Sequence, residues 1–125
     1  LCGVEPVMAF VGGALKVALV TVHIPLAAVA ERLSQAEVER VGRVAAAAIR
    51  DQLGLARPRL IVCGLNPHAG DGGVLGTEEQ TVIGPAVKTL RSEGLRERLV
   101  KVEAAPGEPF DMGRYALVEE PITPR

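Results

Sequence analysis

An apolar strand-like run, Pro58 to Cys63, passes through the glycine-rich segment Leu65-Asn66-Pro67-His68-Ala69-Gly70-Asp71-Gly72-Gly73 into a capped helix, and this succession limits the fold more than any other feature. A largely apolar run of this kind suits a strand covered on both faces, as in parallel sheets. The loop after it lies where open α/β sheets build their sites, beyond the carboxyl end of a strand. His68 stands on that loop. The other histidine, His23, ends a second apolar strand within Val17 to Leu26, so two strand ends point to one shared site.

Elements around this centre follow from spacing. Val7 to Val11 and Lys16 to Val22 read as antiparallel strands, and Gly12-Gly13 between them accepts the positive φ of a tight hairpin. Ala27 to Leu33 reads as a short helical turn. Ser34 followed by Glu37 is a capping-box pattern. Behind it Val38, Val41, Val44, Ala45, Ala48, Ile49 and Leu53 recur at helical spacing until Gly54 stops the helix, leaving Arg40, Arg43, Arg50 and Asp51 on a solvated face. Thr77 with Gln80 repeats the capping logic, and Val82, Ile83, Ala86, Val87 and Leu90 carry a stripe to Gly94, kinked at Gly84-Pro85. Glu97 to Glu103 reads as a further strand or a helix tail, and the proline-bearing remainder as irregular. The order predicts a layered α/β domain with a mixed sheet.

Composition excludes several functions. Fourteen Lys plus Arg against 15 Asp plus Glu leave no basic field for nucleic acid or anionic lipid, and Phe10, Phe110 and Tyr115 are the only aromatic residues available for base stacking. Neither nucleic acid nor membrane is expected as a partner. The apolar stretch Val7 to Ala30 is interrupted by Lys16, His23 and Pro25, so buried strands explain it better than a membrane span. Cys2 and Cys63 are too few for a disulfide framework; Cys63 reads as a small buried thiol, and a reducing cytoplasm is the simplest compartment.

Three chemistries compete for the loop. A glycine-rich turn before a helix cradles phosphate through its amides and the helix dipole, but Asp71, Glu78 and Glu79 already place carboxylates there. A divalent cation suits imidazoles and nearby carboxylates better, with His23 and His68 as ligands, although a catalytic site wants about three protein ligands. In the plainest reading each histidine hydrogen-bonds to backbone, and the glycines only make turns.

The residues Val20-Thr21-Val22-His23-Ile24-Pro25-Leu26, then Gly64 to Gly73, then Gly76-Thr77-Glu78-Glu79 together closely resemble the 4-hydroxythreonine-4-phosphate dehydrogenase (PdxA) family of pyridoxal phosphate biosynthesis. The resemblance covers about residues 7 to 95. It implies a partial domain of an isopropylmalate-dehydrogenase-like three-layer α/β/α fold over residues 1–95, with 96–125 a divergent tail. It also implies a cytoplasmic homodimer with its metal site at the interface, where His23 and His68 ligate a divalent metal (Zn, Mg or Co). The implied reaction uses NAD or NADP to oxidise 4-phosphohydroxy-L-threonine, a phosphorylated hydroxy amino acid, and the 3-oxo acid then loses carbon dioxide. Asn66 or a backbone carbonyl is the implied support of His68. No catalytic or cofactor-binding residue is assigned within this chain.

Several family features are missing. These 125 residues lack the third metal histidine, which the family carries in a later H-D-Q-G motif. The residues that hold substrate are also absent, Asp71 stands for the usual glutamate, and Val74 replaces a common histidine. A fragment or truncated copy, inactive alone, is the resulting expectation. Alternatives are a relative acting on erythronate or threonate 4-phosphate or a cyclic diol, and a non-catalytic metal-binding or dimerisation remnant.

Overall fold

Serine at position 34 sets the start of the longest helix. In the computed structural model, which describes residues 5–13 and 15–100, the Ser34 hydroxyl accepts the Glu37 amide at 3.2 Å, and helix α2 (Gln35–Leu53) runs to Gly54 in the left-handed region at φ 70°. It is preceded by a 3-10 turn (Leu26–Ala28) and one turn of helix, α1 (Val29–Arg32), where a short helical turn was expected. Ser34→Ala removes the only side-chain acceptor at this cap and is expected to cost about 1 kcal/mol, read from a urea midpoint.

The hairpin forms between β1 (Ala9–Gly12) and β2 (Leu15–Ala18), antiparallel in the register Ala9↔Ala18 to Gly12↔Leu15, with Gly13 at φ 52° in the turn. Two expectations fail here. β2 stops at Ala18, well short of Val22, and β1 is exposed along its whole length, not buried. Among the described residues the hairpin is a sheet of its own: β3 (Arg59–Cys63) pairs in parallel only with β4 (Arg96–Val100). The expected single mixed sheet is therefore two separate pairs, because no ladder joins the hairpin to β3. Strand β3 is half-buried, not covered on both faces, and Cys63 at its end is exposed where a buried thiol was expected.

Between β3 and β4 the chain makes a π turn (Glu79–Ile83) and helix α3 (Gly84–Ser92). The sequence reading put one kinked helix here. The backbone is helical on both sides of that point, with Ile83 and Gly84 both right-handed, and Pro85 lies in the first turn of α3 directly after a widened turn. The strain falls on the preceding turn, which widens so that the Gly84 amide reaches the Glu79 carbonyl. Thr77 contributes its carbonyl, which accepts the Gln80 and Thr81 amides at 2.9 Å, in place of the expected side-chain cap. The expected tail contributes β4, and residues 101–125 lie outside the described ones.

Val38, Val41 and Ala46 of α2 pack with Ile83, Ala86, Val87 and Leu90 to form the core. Gln35 reaches Thr89 and Arg43 reaches Glu93, so α2 and α3 run in the same sense across this seam. The arginine face of α2 is thus not simply solvated. The Arg43 guanidinium donates to both carboxylate oxygens of Glu93 at 2.7 and 2.8 Å and to Glu39 at 2.9 Å, and these bonds raise its pKa and lower that of Glu93. No helix among the described residues is long and apolar enough to cross a membrane.

Candidate functional site

Past Gly64 the backbone takes a path that few sequences tolerate. His68, Ala69, Gly70, Asp71 and Gly72 are all left-handed, with φ of 53°, 53°, 81°, 44° and 67°. For each non-glycine residue that conformation costs roughly 1–2 kcal/mol, so the loop must be held by something outside itself. Local bonds supply part: Ala69 donates to the Asn66 carbonyl at 3.1 Å and Leu75 to the Gly70 carbonyl at 3.0 Å.

The larger anchor is Glu79, only 4% exposed and the one charged residue buried in the described core. Its Oε1 accepts the Asn66 amide at 2.6 Å and its Oε2 the Asn66 side-chain Nδ2 at 3.1 Å, while Glu78 takes the same Nδ2 at 2.6 Å. Burial pushes the Glu79 carboxyl up, but hydrogen bonds from Asn66, with the Leu65 and Glu79 amides, outweigh it and leave the pKa below the usual value. The group stays ionised at neutral pH. Two glycines let the chain close on it: a Cβ on Gly64 would stand 3.1 Å from Oε1, and one on Gly70 3.0 Å from Oε2. Gly76, at φ 140°, leaves room for the Asn66 amide.

This geometry settles two expectations about the loop. The amides at its mouth are taken by a carboxylate of the chain itself, which disfavours the phosphate cradle. Asn66 is committed to Glu78 and Glu79 and does not support His68. The sequence reading placed Glu79 with Asp71 and Glu78 among the carboxylates that answer the helix dipole, and its burial against the loop went unread.

His68 is exposed, and so is His23, which follows β2 in a bend at φ 55°. Neither imidazole hydrogen-bonds to another described residue, so the backbone-bonded reading fails for both. Among the described residues the non-glycine positions with positive φ are His23, His68, Ala69 and Asp71. Both histidines of the chain thus occupy strained backbone, and strain of this kind concentrates at functional sites. Their imidazoles are ligand types suited to a divalent cation. No group of three or more His, Cys, Asp or Glu among the described residues is arranged to hold one. A cleft of about 450 Å³ lined by Arg43, Arg50, Arg57 and Glu93 lies at the opposite end of β3, away from the His68 loop.

The family model described as pyridoxal phosphate biosynthetic protein PdxA matches residues 1–106. The 4-hydroxythreonine-4-phosphate dehydrogenase of Thioalkalivibrio sulfidiphilus is 51% identical over 90 residues, which are 72% of this chain and 27% of that protein. Its Pseudomonas putida counterpart is 52% identical over 91 residues, 73% and 28% respectively. Among solved structures, the Burkholderia phymatum 4-hydroxythreonine-4-phosphate dehydrogenase superposes with TM-score 0.72 at 37% identity, covering 77% of this chain and 29% of that one. A terephthalate 1,2-cis-dihydrodiol dehydrogenase from Burkholderia xenovorans reaches TM-score 0.69 at 34% identity, covering 73% and 29%. The chain spans a little over a quarter of the length of these relatives.

Proposed function

This chain belongs to the PdxA family of pyridoxal phosphate biosynthetic proteins, and from that membership we propose that it forms part of an NAD(P)-dependent dehydrogenase of a phosphorylated hydroxy amino acid. The substrate proposed is 4-phosphohydroxy-L-threonine. Its hydroxyl-bearing carbon gives up a hydride and the hydroxyl its proton, and the resulting 2-amino-3-oxo-4-phosphooxybutanoate loses carbon dioxide to leave 3-amino-2-oxopropyl phosphate. When bound, NAD or NADP accepts the hydride and a divalent cation (Zn, Mg or Co) polarises the substrate oxygen.

The observation that carries this reading is the pair of exposed, uncommitted imidazoles, His23 and His68, each held in left-handed backbone. They fit the donor chemistry of such a cation, as two ligands of a set that needs at least one more from elsewhere. A second copy of the chain is the proposed source, in a cytoplasmic homodimer of the isopropylmalate-dehydrogenase-like three-layer type. Val74 at 81% exposure and Leu75 at 46%, on the same loop as His68, support an apolar contact there.

One experiment tests the reading. The 90-residue matched segment is exchanged into the Thioalkalivibrio sulfidiphilus enzyme, and NADH formation is followed on 4-phosphohydroxy-L-threonine. Turnover is expected in the exchange, and His23→Ala or His68→Ala is expected to lower it by about 100-fold, the upper end of losses seen when even outer supports of a metal are removed. An exchange without turnover on this substrate contradicts the reading. The dihydrodiol dehydrogenase neighbour, as close in fold as the others, makes a cis-dihydrodiol the second substrate to try.

A further inference from the structure

We propose that Glu79 is the positioning residue of the His68 loop: its buried carboxylate, by taking both the amide and the side chain of Asn66, fixes the left-handed path that turns the imidazole outward. The inference deepens the metal reading and rests on it only where zinc is concerned. Three observations carry it. Glu79 stands 13 positions from Asn66 along the chain, yet the two bonds join the start of the loop to the turn that follows it, so they close the segment as a clasp does. Gly64 and Gly70 pack on opposite oxygens of the same carboxylate, at positions where a Cβ would come within 3.1 Å. The turn that carries Glu79 is itself widened, and a Cβ on Gly84 would stand 2.8 Å from the Glu79 carbonyl, so backbone as well as side chain is fitted at this residue.

A first-turn glutamate that merely answered the helix dipole would remain in water. Here burial works against the charge, and the Asn66 bonds offset it. Glu79→Gln keeps the shape but replaces one oxygen by an NH₂ group, which then faces a donor of Asn66. The clasp loses one bond and gains a donor-to-donor contact.

The test uses the full chain and two readouts. Hydrogen exchange of the Ala69 and Leu75 amides is compared with that of Ala46 in α2, and zinc affinity is measured by titration. In Glu79→Gln, exchange at Ala69 and Leu75 is expected to rise about 10- to 100-fold, the consequence of losing one hydrogen bond to a charged group, while Ala46 keeps its protection. Asn66→Ala, which spares the carboxylate and the backbone bond, is expected to give a smaller rise at the same two amides. Zinc affinity is expected to fall about 10-fold or more in Glu79→Gln. Unchanged loop exchange in both variants overturns the proposal, and so does an equal rise at Ala46, which would make Glu79 a general support of the fold. If His68→Ala leaves zinc affinity unchanged, the ligand reading fails, and the exchange data still decide the role of Glu79.

Discussion

Gly70→Ala is expected to cost about 2–4 kcal/mol and to release the His68 loop, whereas Gly72→Ala, two residues on, is expected to cost only about 1 kcal/mol. The two glycines share a left-handed backbone, at φ 81° and 67°, so an alanine meets a similar conformational penalty at each. They differ in what surrounds them. A Cβ on Gly72 meets nothing within 4 Å, while one on Gly70 would overlap the Gly76 carbonyl and stand 3.0 Å from Glu79 Oε2. The first of these neighbours is backbone and cannot swing aside. The second is the carboxylate that clasps Asn66, so relieving the contact means loosening the clasp. Gly70 also accepts the Leu75 amide through its carbonyl, and any shift of its backbone strains that bond. Urea unfolding of the two variants beside the unaltered chain measures the difference, and similar midpoints for Gly70→Ala and Gly72→Ala would contradict the close packing described.

What could be read from the sequence divides along physical lines. Helix α2 was legible because its signals are local: Ser34 and Glu37 three apart, apolar residues at helical spacing, and Gly54 where the chain must turn left-handed. The β1–β2 hairpin and the helical turn before Ser34 were legible for the same reason. The strand at Arg59–Cys63 was legible as an element, but its cover was not, since burial depends on what packs from elsewhere. For that reason Cys63 was misjudged, and the two strand pairs were read as one sheet. At the site, the loop and its two histidines stood out by composition. Glu79 did not, because nothing local distinguishes a buried glutamate from a surface one; its bonds go to a residue 13 positions away. The left-handed run through His68, Ala69 and Asp71 was equally hidden, since three of its five residues prefer other conformations and adopt this one only within the clasp.

The scaffold beneath that loop depends on one side chain above others, and Leu90→Ala is expected to cost about 2–5 kcal/mol. Leu90 is the largest side chain in the described core with no exposure at all. It lies on α3, whose seam with α2 also buries Val38, Val41 and Ala46, and the alanines of that core, Ala46 and Ala86, have no side chain long enough to extend into a space vacated nearby. The cavity therefore persists, which places the cost toward the upper part of that range. Domains of this size are held by about 5–15 kcal/mol in all, so the loss takes a large share of what keeps α3 on α2. Leu26→Ala is the matched comparison. At 89% exposure Leu26 has almost no burial to lose, and a change within about 0.5 kcal/mol is expected. Denaturant midpoints with unchanged slopes separate the two. A small effect at Leu90 would mean that the helix seam is not the main source of stability, and that α3 is fixed chiefly by β4 and the Arg43–Glu93 pair. Because Leu90 lies in α3 and takes no part in the Asn66–Glu79 hydrogen bonds, its loss should lower protection across α2 and α3 together, unlike Gly70→Ala, whose first effect falls on the loop. That contrast separates what the core does, which is to hold α3 in place, from what the buried carboxylate does at the start of the same helical segment, which is to shape the loop that presents His68.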